Sequence, residues 1–342
     1  MALSMQLRRV DWPLRTPFRI STACIDAIET LQVCLSDGRH EGTGEAAGVF
    51  YRGETVESMR EQLLAVGTQL GDDLSHEEVE RLLPPGGARN ALDCALWDLR
   101  AARSAMAVHQ LLGVERLRDL DTFFTLGLAP AAETAAAARA AVTAGRTLLK
   151  VKLDGHDDET RIAAVRSAAP QARLVVDANG SWTVALLGEL PTALAAQGVE
   201  LIEQPLPRGA DEALDGRRCG LPLAADESFE TEDDLERAVR RYQFVNIKLD
   251  KTGGLTSAWR LARQASDAGL GVMVGNMCGS SLAIAPAFVV AQRAQLSDLD
   301  GPLLNMGDVP HGFVYEGSCM AAASARCWGY GGDRAPASDP RG

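Results

Sequence analysis

RLVVDANGSW (173–182) decides the reading. A short aliphatic run rich in valine ends on an acid, Asp177, and Asn-Gly-Ser, a turn signature, follows at once. The same device recurs in ELIEQP (200–205) and LPLAADES (221–228), which end their apolar runs on Glu203 and Asp226. The intervals from 177 to 203 and from 203 to 226 each fit one strand, loop, helix and loop. In a parallel barrel, successive units of this kind would turn all three acids into one pocket. Three oxygen donors that leave open positions suit a hard divalent cation such as Mg²⁺. One acid at a strand end is ordinarily a helix cap or a surface ion pair; three at equivalent positions favour a metal.

On either side lie lysine-bearing runs of the same type, LLKVKLD (148–154) with Lys150 and Lys152, and FVNIKLD (244–250) with Lys248. A period of two puts Lys150 and Lys152 on one strand face, toward the barrel interior. An isolated buried ammonium is costly, so such lysines need a reason. A metal between two lysines can help remove a proton beside a carboxylate and return it.

Working outward, eight candidate strands run in order: 122–128, 147–153, 172–178, 199–205, 221–227, 244–250, 271–277 and 296–302. Helical stretches separate most of them, among them 131–144, 158–168, 232–240 and 255–268. This alternation predicts an α/β barrel. The alternative, an open doubly wound sheet, would carry a Gly-rich phosphate loop after its first strand. GTGEAAG (42–48) has the wrong spacing for one. The first 118 residues read as α+β: strands near 6–10 and 28–35, then helices over 55–70, 76–83 and 88–102. ARNALDCALWDLRAA (88–102) puts Leu92, Ala95, Leu96 and Leu99 on one face. After about Val309 the pattern lapses, and GYGGDRAPASDPRG (329–342) is expected to be disordered.

The 342 residues fit one large barrel plus a smaller domain, and 46 % apolar content with 33 glycines suits a globular chain. A net charge of −12 argues against nucleic acid or an anionic membrane as partner. No apolar run is long enough to span a bilayer, and the first residues lack the apolar core of a secretory signal. Seven cysteines with no CxxC pair read as reduced thiols, so a cytoplasmic location is expected. The five histidines have neither metal nor triad spacing.

With these residues in hand, the chain resembles the enolase superfamily, in its muconate-lactonizing subgroup, and within it the dipeptide epimerases of the L-Ala-D/L-Glu type. The resemblance covers nearly the whole chain. It rests on PLRTPF (13–18), GTGEA (42–46), GET (53–55), ARNALDCALWDL (88–99), LLKVKLD, VDANGSW (176–182), EQPLP (203–207), ADES (225–228), RYQFVNIKLDKTGGLT (241–256) and DLDGP (298–302), in that order. It implies a (β/α)7β barrel over 119–308, with an α+β capping domain over 1–118 completed by 309–342. It implies Mg²⁺ held by Asp177, Glu203 and Asp226. Lys152 and Lys248 would invert the α-carbon of a dipeptide's C-terminal residue by 1,1-proton transfer through an enolate, with Lys150 beside them. Asp298 and Asp300 would hold the substrate's α-ammonium. Asn179 reads equally as a turn residue or as support for the metal ligands, and Lys251 as structural. Homo-oligomers are common in the family.

Specificity should lie in two loops, 15–24 and 48–55. Members that take acidic dipeptides usually carry an arginine a few residues past the PF, where this chain has Thr22, Ala23 and Cys24. Arg19 and Arg52 could substitute, and Asn276 stands where a small residue or cysteine is usual. The alternatives within the superfamily are an N-acylamino-acid racemase and a lyase of the o-succinylbenzoate synthase or cycloisomerase kind, neither of which needs an ammonium clamp.

Overall fold

The computed structural model describes residues 3–20, 23–71, 73–322 and 326–330. Thr22 and most of the tail expected to be disordered, 331–342, lie outside the described residues.

The chain opens with an antiparallel sheet of β1 (Ser4–Ile20), β2 (Ala23–Ser36) and β3 (Glu41–Ala46). Leu31, Val33 and Leu35 alternate along β2 and are fully buried, packing on a long helix, Gly87–Ser104. β3 was not expected as a strand, and its glycines explain GTGEA. A Cβ on Gly42 would come 2.3 Å from Ala95 O, and one on Gly44 would come 2.2 Å from Ala91 O. The strand can therefore lie flush on the helix only without side chains there. The helix buries Leu92, Ala95, Leu96 and Leu99 as its spacing predicts. Its other face carries Arg89, Asp93 and Trp97, which reach the barrel instead.

A two-residue strand, β4 (Leu120–Asp121), leads into the barrel. The eight parallel strands are β5 (Phe124–Leu126), β6 (Leu148–Lys152), β7 (Arg173–Asp177), β8 (Val199–Glu203), β9 (Leu223–Ala225), β10 (Phe244–Ile247), β11 (Gly271–Val274) and β12 (Leu296–Ser297), hydrogen-bonded in chain order. Phe123 N donates to Ser297 O at 2.9 Å, which brings the two edges together. Inside, Phe123, Leu148, Val175, Leu201, Ala224 and Met273 form an apolar floor. Alternate residues such as Leu149, Val151, Val176 and Ile202 face outward onto the helices. The expected strand order is observed. The crossover after β8 holds only a 3-10 turn, Asp211–Leu214, in place of a full helix.

All eight strands end before the boundary the sequence suggests, and two of them end because a helical turn follows. FVNIKLD leaves the sheet after Ile247, because LDKT forms a helical turn, Leu249–Thr252, closed by Gly253 and Gly254 at φ +78° and +119°. LSDLDGP leaves it after Ser297, because Gly-Pro starts a short helix, Gly301–Leu304, with Asp300 at its cap. Past the barrel, β13 (Tyr315–Glu316) pairs with β14 (Cys319–Met320), which in turn pairs with β4. Residues 326–330 return to the long helix, where Trp328 Nε1 donates to Cys94 O and Gly329 N to Asp98 Oδ1.

The sheet-and-helix unit is clasped to the barrel by polar contacts. Arg89 donates to Gly253 O and Thr252 O at 3.1 and 2.5 Å. Asp93 accepts from Thr256 N and Oγ1, and from the buried His76. The Gly253 and Gly254 of KTGGLT sit where a Cβ would strike Arg89 or Asp93, so ARNALDC and KTGGLT fit each other.

Candidate active site

The registers of the parallel strands stack the acids. Lys152 pairs with Asp177, and Asp177 with Glu203. Asp177 and Glu203 are the last residues of β7 and β8, and Asp226 follows β9 by one residue. One carboxylate oxygen from each lies within 4.8 Å of the others, and all three residues are buried. Among the described residues this is the only group of three such ligands close enough to hold a metal ion.

The surroundings keep those acids aimed. Asn246 Nδ2 donates to Glu203 Oε1 at 2.8 Å. Asn179, in a left-handed turn at φ +43°, gives its N–H to Asp177 Oδ1 and its amide to Glu227 Oε1, so it is both the turn residue and a support for the ligand. Gln204 Oε1 accepts from Asp226 N and Ser228 N. Lys251, fully buried, donates to Asp226 Oδ1, Asp226 O and Asn246 O and pins the loop after β9.

Three lysines complete the arrangement. Lys152 Nζ lies 2.6 Å from Asp177 Oδ2. Lys248 Nζ lies 2.7 Å from Asp226 Oδ2. Lys150 is 1 % exposed and has Glu203, Asp298 and Asp177 at 2.7, 2.8 and 3.2 Å. The two-residue alternation on β6 turns Lys150 and Lys152 inward as read from the sequence. Lys248 reaches the same space as the cap of a helical turn rather than as a strand residue.

Burial pushes Asp177 and Asp226 up, but the neighbouring lysines more than offset it and hold both below the usual carboxylate range. Glu203 is raised to about 7 by burial and by the charge of Asp177. Its Oε2 is ion-paired with Lys150 Nζ at 2.7 Å. Six carboxylates at this end of the barrel (Asp177, Glu203, Asp226, Glu227, Asp298, Asp300) face four lysines (150, 152, 248, 251), a formal excess of two acids over bases. The all-oxygen donor set and that excess fit a hard divalent cation.

Asp298 and Asp300 lie beyond β12, so strand periodicity does not govern them, yet both line the same cavity. Thr125 N donates to Asp300 Oδ2 at 2.7 Å, and Thr125 Oγ1 to Asp298 Oδ1. Burial and the Asp298 charge raise Asp300 to about 7. Asn276 lines the cavity and ties two loops, donating to Asp298 O and accepting from Cys278 N at 2.6 Å each.

The two arginines expected near the substrate stand elsewhere. Arg19 is exposed, because Phe18 and Ile20 take the inward positions of β1 on either side of it. Arg52 is held by Glu230, with Nε at 2.9 Å from Oε1 and Nη2 at 2.6 Å from Oε2, and it also donates to Pro85 O. The sequence reading missed Tyr51, which faces the cavity and donates to Glu230, and Glu227, beside Asp226. It also missed two buried acids that seat the site's loops: Asp250, which accepts from Gly48 N, and Glu45, which accepts from Ser280 N and Oγ. A larger cavity, about 580 Å³ beside Val108, Phe288 and Trp328, holds no comparable group of ligands.

Comparison with known proteins agrees with this geometry. The family described as "Enolase C-terminal domain-like" matches residues 133–331, and "Mandelate racemase / muconate lactonizing enzyme, N-terminal domain" matches 2–113. An L-Ala-D/L-Glu epimerase of Escherichia coli is 42 % identical over 85 % of this chain and 91 % of its own length. An N-acetyl-D-glutamate racemase of Pseudoalteromonas is 41 % identical over 87 % and 94 %. A solved enolase family member from Agrobacterium tumefaciens, with homology to dipeptide epimerases and with bound sodium and L-Ala-L-Glu, superposes with a TM-score of 0.92 at 38 % identity, covering 96 % of this chain and all of that one. The chain belongs to the mandelate racemase/muconate lactonizing branch of the enolase superfamily.

Proposed function

We propose that the chain is a Mg²⁺-dependent dipeptide epimerase that inverts the α-carbon of the substrate's C-terminal residue. The observation that carries this reading is the pair of lysines, Lys152 and Lys248, opening into one cavity with their Nζ atoms against carboxylates of two different strands, Asp177 and Asp226.

Asp177, Glu203 and Asp226 would hold the cation, with Asn246 and Asn179 orienting them. Bound there, it supplies a Lewis acid that grips the substrate carboxylate and stabilises the charge left when the α-proton departs. One lysine takes the proton from one face of the α-carbon, and the other delivers a proton to the opposite face. Burial pulls Lys248 down, while the charges of Asp226, Glu203 and Glu227 together more than offset it and raise the ammonium above its ordinary value. With those charges neutralised, burial would be left to lower the lysine toward the range where it serves as a base. Asp298 and Asp300 receive the α-ammonium. Asp300 is a buried acid held up to about 7, so an arriving cation stabilises its charged form.

An N-acylamino-acid racemase is the second reading, favoured by the similarity to the Pseudoalteromonas enzyme. It would leave Asp298 and Asp300 facing a neutral amide. Chiral chromatography of free-amine dipeptides and N-acetyl amino acids incubated with the protein, with Mg²⁺ or with chelator, separates the two. The proposal expects inversion of dipeptides only, lost with chelator. Inversion of N-acetyl amino acids alone would move the assignment to the racemase.

We also propose the domain division given by the resemblance, 1–118 and 309–342 around a barrel of 119–308. The separate apolar core under the first sheet supports it, as do the contacts of residues 326–330 with the long helix. No described helix is long and apolar enough to cross a membrane.

A further inference from the structure

The cavity has two unlike walls. The barrel side carries the lysines and the acids. The side facing them is carbon: Phe18, Ile20, Ile25, Ile28 and Phe50 from the N-terminal sheet and the loop after it, continued by Leu304. We infer that this wall is a subsite for an apolar side chain at the second position of the dipeptide, rather than for the glutamate side chain for which the Escherichia coli relative is named.

The inference rests on the epimerase reading and follows from the four substituents of the α-carbon. The carboxylate is taken by the metal site. The hydrogen lies on the axis between Lys152 and Lys248. The peptide nitrogen leads to the first residue, whose ammonium belongs to Asp298 and Asp300. The side chain is the one group left, and the wall left is the apolar one.

A glutamate carboxylate there would lose water and gain no cation. Among the described lining residues no arginine is present. Arg19 points to solvent, and Arg52 is satisfied by Glu230 and Pro85 O. Ser21 and Thr22 carry no charge. Two polar residues of the same lining, Tyr51 and Glu227, do not help. Tyr51 spends its hydroxyl on Glu230, and Glu227 is itself an acid. A buried unpaired carboxylate is strongly disfavoured, whereas apolar groups gain by leaving water.

The test is kcat/KM of the holoenzyme for L-Ala-L-Leu, L-Ala-L-Phe and L-Ala-L-Glu, followed as loss of optical purity with Mg²⁺ present. The expected result is at least ~10-fold preference for the apolar dipeptides, since a site lacking a partner for a polar group rejects it by about that much or more. Equal or better turnover of L-Ala-L-Glu overturns the subsite and leaves the epimerase reading standing. No turnover of any dipeptide overturns both. Ile25→Arg should move the Leu-to-Glu ratio toward Glu by about 10-fold, mainly through KM, and Ile25→Leu should keep the wild-type ratio. An unchanged ratio in a folded Ile25→Arg protein would remove Ile25 from the subsite.

Discussion

The barrel and the N-terminal sheet meet over one cavity and contribute opposite things to it. The barrel brings almost every charged group: three clustered acids, three lysines and the Asp298–Asp300 pair. The sheet and its loop bring isoleucine and phenylalanine and withhold their arginines. The proposed reaction chemistry therefore sits on the barrel strands or within a few residues of their C-terminal ends. On the inference above, choice of substrate sits on a separate element docked through Arg89, Asp93 and Asp250. The division allows side-chain preference to change with little disturbance of the lysines.

The sharpest way to break that division is to remove a barrel lysine. Lys152→Ala or Lys248→Ala should lower kcat for inversion by about 10²–10⁴-fold, the usual contribution of a positioned acid or base. Polarimetry on any accepted dipeptide reads this directly, and a loss under tenfold in a folded variant would exclude the lysine from proton transfer. Asp298→Asn should cost about 10–100-fold in kcat/KM, the scale of one charge-assisted hydrogen bond. Most of it should fall in KM for free-amine substrates. If the same variant loses nothing on dipeptides, the ammonium is held elsewhere.

A gentler probe is pH. Asp300 is raised to about 7 by burial and Asp298, so it is charged above that value and neutral below it. An ammonium binds the charged form, so KM should rise as pH falls through about 7, at constant Mg²⁺. A flat KM between pH 6 and 8 would contradict the clamp. The smallest expected effect is on stability. Gly44→Ala places a Cβ 2.2 Å from Ala91 O, and relieving that clash should cost about 1–3 kcal/mol in thermal unfolding. The barrel's chemistry should survive wherever the sheet stays docked.

These tests follow what was legible in the chain. Asp177, Glu203 and Lys152 end strands whose alternation fixes which way they point, so a period of two was enough to place them. Lys248 and Asp300 fall just past strands, where Gly253 and Pro302 curl the chain, and periodicity alone put them in the right cavity by the wrong route. Arg19 and Arg52 were misplaced because nothing local says which face of β1 meets the barrel, or that Glu230, 178 residues away, claims Arg52. The second face of the Gly87–Ser104 helix was hidden for the same reason. Its polar residues look like a solvated stripe until the KTGGLT turn is seen against them.

The central claim is that two lysines on opposite sides of one carbon exchange its proton. Its most direct test is the epimerisation of an L,L-dipeptide in D₂O, with mass-spectrometric analysis of both epimers at early conversion. The account predicts one α-deuterium in the inverted product, delivered by the lysine of the opposite face; deuterium in recovered substrate reports return from the abstracting lysine, whose ammonium in D₂O carries two solvent deuterons beside the abstracted proton. Inversion without deuterium in the product, or no exchange with any dipeptide, would contradict it.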